Sequence, residues 1–154
     1  MKLRAIKKVY QMAAILLLLT ALACQQNEAM KLNRLPLLPQ AVRAEVAGAE
    51  KEQFNFAVIN ALNMLRNNYR IAETEIYSLP AETTAHSIAQ FYDENLKKSG
   101  FARKSSLPDD SAPIQTIIWE QSSLLDSNVV AVSLIKIENI ESQNFLLVGV
   151  GSKK

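Results

Sequence analysis

The stretch Asn128–Glu138 constrains the fold of this chain more than any other. It contains Val129, Val130, Ala131, Val132, Leu134, Ile135 and Ile137. Successive side chains of a strand point to opposite faces. Here both alternating sets are mostly apolar, which suits a central position in a sheet, with Lys136 near its exposed end. Ile114–Gln121, with Ile117, Ile118 and Trp119, reads as a strand, and Phe145–Val150 as the last one. Arg70–Leu79 alternates more loosely, carries Ile71, Ile76 and Tyr77, and is closed by Pro80. Phe101–Ser106 reads as a short strand. Pro108-Asp109-Asp110-Ser111 is a turn signal, Ser122–Ser127 a loop, and Asn139–Asn144 a turn.

Two segments carry helical periodicity instead. In Phe54–Tyr69, the residues Phe54, Val58, Ala61, Leu62, Leu65 and Tyr69 recur on one face. Asn55, Asn63, Arg66 and Asn67 fall largely on the other, which reads as a solvated face. In Thr83–Ser99, Ala85, Ile88, Ala89, Tyr92 and Leu96 line one face, broadened by Phe91. Asp93/Lys97 and Glu94/Lys98 are acid-before-base pairs four apart, each contributing about 0.2–0.5 kcal/mol. Gly100 can take the left-handed capping position, and Phe101 can fold back on Leu96, as a Schellman ending requires.

The order helix, strand, helix, then consecutive strands predicts an α+β fold. Two amphipathic helices are expected on one face of a mainly antiparallel sheet of four to five strands, the later strands pairing as a meander. The run Phe91-Tyr92…Leu96…Gly100-Phe101 resembles a motif of small exported bacterial α+β domains. That resemblance implies a fold and no activity.

The N-terminus reads differently. Lys2, Arg4, Lys7 and Lys8 precede an apolar run of a dozen residues, Met12–Ala23, and then Cys24, the only cysteine of the chain. This is the layout of a signal peptide, and the run is shorter than the roughly 20 residues of a membrane-spanning helix. Ala21-Leu22-Ala23-Cys24 resembles the lipobox of bacterial lipoproteins, which are cleaved before a cysteine that carries diacylglycerol. It departs from that pattern at Ala21, where Leu, Val or Ile is usual. An ordinary secretory site cleaved at the same bond, leaving an unmodified cysteine, stays open. A lone exposed thiol is a liability in an oxidising compartment, whereas an acylated one anchors the protein to a bilayer. By the same resemblance, Gln25 rather than Asp after the cysteine implies the outer membrane.

The domain reading is a signal peptide over 1–23, a lipid-anchored tether over 24–50, and a single α+β domain over 51–154. Within the tether, Leu35-Pro36-Leu37-Leu38-Pro39 is oddly apolar. Either the arm packs on the domain or it is a short partner-docking segment. Leu35, Leu37 and Leu38 are thus candidate partner contacts. So is Trp119, since tryptophan is enriched at binding hot spots, although core packing explains it better.

Composition narrows the function. One cysteine and one histidine among 154 residues exclude a disulfide framework, a cysteine-based zinc site and multi-histidine metal sites. Loss of residues 1–23 takes the basic count from 17 to 13 against 15 acidic residues, so the mature chain carries no basic excess for nucleic acid. No nucleophile elbow, phosphate loop or zinc-protease motif is present. His86 reads as a surface or boundary residue and Asp109-Asp110 as a solvated turn. No cofactor, metal or catalytic residue is expected. The expectation is a non-catalytic accessory or adaptor lipoprotein of the envelope, with the bilayer and an envelope protein as partners. The alternative is a periplasmic small-ligand-binding domain with a pocket lined by Phe91, Tyr92 and Trp119.

Overall fold

The computed structural model describes residues 30–122, 127–138, 140 and 142–154. The expected signal peptide, Cys24 and most of the Ser122–Ser127 loop lie outside these residues. A 3-10 turn at Leu32–Arg34 leads to strand β1 (Val42–Arg43), helix α1 (Glu50–Asn68) and strand β2 (Tyr69–Pro80). Helix α2 (Ala85–Lys97) follows, then β3 (Ala102–Arg103), β4 (Ile114–Ser122), β5 (Ser127–Ile135) and β6 (Gln143–Lys153). The six strands form one antiparallel sheet in the order β1-β2-β6-β5-β4-β3. The α+β class and the meander from β3 to β6 are as expected. The sheet exceeds four to five strands by β1, a two-residue strand at the β2 edge, while β3 at the other edge is the short strand expected over Phe101–Ser106.

The helices do not share a face. From Asn128 to Ile135 every residue of β5 is buried, and the register separates two cores. Val130, Val132 and Leu134 pair with Trp119, Ile117 and Gln115 on one side and with Val150, Val148 and Leu146 on the other. This first face packs against Ala85, Ile88, Tyr92 and Leu96 of α2. Val129, Ala131, Ile135, Phe145 and Leu147 form the second face, under Ala61 and Leu65 of α1. The expected one-sided arrangement is therefore corrected to a three-layer one. Antiparallel sheets commonly leave one face in water. Here that would expose Phe145, Leu147 and Val129, each forfeiting about 1.5–3 kcal/mol of burial.

The expected tether is corrected as well. From Met30 onward the arm belongs to the domain. Leu35 is only 7% exposed and joins the first core, with Met30, Leu32, Leu38 and Ala41 packed around it. Val42 and Arg43 pair with Ser78 and Tyr77 of β2, and the Ala44 amide donates to the Ile76 carbonyl at 3.0 Å. An unpaired β2 edge would invite association with other strands, and the arm covers part of it. Gly48, at φ 76°, turns the chain into α1.

Local chemistry explains the ends of α2. The Thr84 hydroxyl accepts from the Ser87 amide at 3.1 Å, and the Ser87 hydroxyl accepts from the Thr84 amide at 3.3 Å. At the other end Gly100 has φ 79°. The Phe101 amide donates to the Leu96 carbonyl at 3.2 Å, and the Gly100 amide to the Lys97 carbonyl at 3.0 Å. This is the Schellman ending expected from the sequence. On the second face, the β2–β6 register shifts between Ile71 and Glu73. There a Cβ on Gly151 would lie 2.0 Å from the Arg70 carbonyl oxygen.

Candidate functional site

Three regions of the surface could carry function. The first is the arm that would link the body to Cys24. The Leu32 amide donates to Glu73 Oε2 at 3.1 Å. Arg43 Nη2 lies 3.5 Å from Glu75 Oε1, and the Tyr77 hydroxyl donates to Glu75 Oε2. Burial pushes the Tyr77 phenol up to about 12, helped by the hydrogen bond to Glu75 and by its negative charge, with Arg43 opposing. The arm is thus fastened by an apolar plug, Leu35, and by a polar strip along β2. Of the candidate partner contacts, Leu35 is internal, Leu38 is half-buried, and Leu37 is 46% exposed. The packed-arm reading therefore accounts for Leu35. Leu37 alone of the three is exposed.

The second region is a cleft of about 290 Å³ beside α2, lined by His86, Ala89, Gln90, Asp93, Glu94, Arg103 and Leu107. Both carboxylates come from the helix that carries His86, at seven and eight residues' distance. Asp93 is already engaged, because Oδ1 accepts from the Trp119 indole at 2.7 Å and Oδ2 lies 3.4 Å from Arg103. The cleft lining supplies no hydroxyl, thiol or amine that could act as a nucleophile. Asp93, with Arg103 beside it, holds the Trp119 indole from outside the core.

Trp119 itself is 1% exposed. Its ring lies 5.4 Å from Tyr92, tilted at 47°, and Tyr92 lies 5.2 Å from Phe91, edge-on at 89°. The three aromatics expected to line a pocket thus pack against one another. Burial holds the Tyr92 phenol well above its ordinary value, and the nearby Tyr77 adds to the shift. The Tyr92 hydroxyl has no hydrogen-bond partner among the described residues.

The third region is the outward face of α1, which the sequence reading missed. Phe56 is 68% exposed, Ile59 55% and Met64 53%. They lie off the apolar stripe of the helix, and this was the available signal: three large apolar residues that the core-facing periodicity leaves over.

On the Pro108–Ser111 turn, Asp109 Oδ1 accepts from the Ser111 amide at 3.0 Å. That bond holds the exposed Asp109 carboxyl below its usual range. Among the described residues no group of three or more His, Cys, Asp or Glu is placed to hold a metal ion. No helix among them is long and apolar enough to cross a membrane. Comparison of the chain with protein-family models, with curated proteins and with solved structures finds no match.

Proposed function

We propose that this protein is a lipid-anchored envelope lipoprotein that acts as a non-catalytic accessory or adaptor subunit. Acylated Cys24 would hold it to the outer membrane on the periplasmic side. The observation that carries this reading is the lone Cys24, directly after the basic and apolar leader and Ala21-Leu22-Ala23. The packing of the arm fits the role. Five residues lie between Cys24 and Met30, the first described residue, so this leash spans at most about 20 Å. Such a leash keeps the domain against the bilayer instead of letting it roam. Two acyl chains or more give stable anchoring where one does not, as a diacylglyceryl cysteine would. The mutual packing of Phe91, Tyr92 and Trp119 favours an adaptor body over a ligand pocket.

Mass spectrometry of the mature N-terminus, with membrane fractionation of the Cys24→Ser chain as control, tests the proposal. The expected result is a diacylglyceryl and N-acyl Cys24 at the new N-terminus, and release of the Cys24→Ser protein from membranes. Native material that is freely water-soluble, with an unmodified sulfur, overturns it.

A further inference from the structure

We propose that the outward face of α1 docks a second copy of this chain, the two helices running antiparallel about a two-fold axis at Ile59. The face is a stripe of Glu52, Phe56, Ile59, Asn63 and Arg66, spaced alternately by four and three residues. That is the repeat of a helix–helix seam. All five residues are exposed. Between Gln53 and Leu65 the sequence holds no charged residue, so the middle of the seam can be dehydrated without stranding a charge.

Charges stand only at the ends of the stripe, and they are opposite. Glu52 lies in the first turn and Arg66 in the last turn of α1. Ile59 is seven residues, two turns, from each. An antiparallel pair crossing at Ile59 sets Glu52 of each copy against Arg66 of the other, about 10 Å to either side of the axis. A parallel pair would set Glu52 against Glu52 and Arg66 against Arg66. Neither residue is held in a salt bridge within its own chain among the described residues. The antiparallel arrangement also opposes the helix dipoles, and it closes as a two-fold dimer, the commonest symmetry of homo-oligomers.

The size of the face sets the strength. Nineteen residues of helix run about 28 Å, and one such strip is smaller than the roughly 800 Å² per partner of a standard interface. The dimer is therefore weak and exchanges rapidly in solution. It does not depend on the lipid at Cys24.

Single-thiol crosslinking tests the arrangement, in the full chain carrying Cys24→Ser so that the engineered thiol is the only one. Ile59→Cys lies on the axis and should form a disulfide-linked dimer at least tenfold faster than Gln90→Cys, an exposed position on α2. Glu52→Cys alone lies about 20 Å from its own copy and should stay at the Gln90→Cys rate. Mixing Glu52→Cys with Arg66→Cys should restore rapid heterodimer formation. In sedimentation equilibrium, Glu52→Arg should weaken dimerisation about fivefold, since each dimer holds two exposed pairs. The double variant Glu52→Arg/Arg66→Glu should restore it. Equal crosslinking rates at residues 59, 52 and 90 overturn the proposal. So does protection of Ile59→Cys from a thiol reagent only when phospholipid vesicles are added, which assigns the face to a bilayer.

Discussion

The two helices cover equivalent jobs on opposite faces of one sheet, yet they are built differently. Helix α2 is capped at both ends, buries Ala85, Ile88, Ala89, Tyr92 and Leu96, and turns His86, Gln90, Glu94 and Lys97 to solvent. Helix α1 is preceded by Ala49, which supplies no side-chain cap. It buries Ala61 and Leu65 and turns Phe56, Ile59 and Met64 to solvent. Folding needs only the inner stripe of each. The outer surface of α2 is what solvent selects, and the outer surface of α1 is not. This difference separates residues that hold the fold from residues that the fold merely displays.

The largest effect is expected at Gly151, under the β2–β6 register shift on the α1 side. Gly151→Ala drives a methyl into the Arg70 carbonyl, 2.0 Å away, and should cost more than about 4 kcal/mol or prevent folding. Chemical denaturation of the variant, or its failure to accumulate, checks this. Next come the two leucines that plug opposite faces. Leu65→Ala, at 1% exposure, should cost about 3–5 kcal/mol. Leu35→Ala should cost about 2 kcal/mol and act locally, speeding hydrogen exchange in β1 ahead of global unfolding. Equal exchange in β1 and β5 after Leu35→Ala would show that the arm is not a separable layer.

Alkali should also loosen the arm side. The Tyr77 pKa rises from 10.0 to about 12 on folding, so the folded state holds its proton more tightly than the unfolded one. The contribution is fully present below pH 10 and is lost as the pH climbs through about 12. Tyr77→Phe should make this stretch of the stability–pH curve less steep, read by denaturant titration at stepped pH. The smallest effect is expected on the outer face of α1. Phe56→Ser should change stability by no more than about 0.5 kcal/mol while weakening self-association. A loss comparable with Leu65→Ala would erase the distinction between display and support.

Much of the architecture was legible in the sequence, for reasons that can be traced to residues. Asn128–Glu138 announced a strand buried on both faces, and Leu96…Gly100-Phe101 announced a helix ending down to its hydrogen bonds. The side of the sheet taken by each helix was not legible. Helical periodicity shows which stripe is apolar and says nothing about which set of strand residues it meets. The doubly apolar Val129–Ile135 did carry the requirement for two covering layers. The docking of the arm was hidden because β1 has two residues and Leu35 stands directly before Pro36, so neither alternation nor helical spacing marks them. Phe56, Ile59 and Met64 lie off the inner stripe of α1, and helical periodicity marks only residues that share a face. Trp119 could be read as core or as anchor, and Asp93, held 2.7 Å from its indole nitrogen, settles it inward.

The way the arm is fastened has a mechanical consequence. Tension entering the body at residue 30 meets the Leu35 plug and the two rungs of β1 before it reaches any long strand. Those rungs are loaded one after the other, as a zipper is, whereas β2, β6 and β5 are held by many rungs each. Peeling residues 30–49 would release about 70 Å of contour length and leave the remaining strands paired. The arm over 30–49 would therefore act as a fuse in series with any anchor at Cys24, lengthening under load before the core gives way.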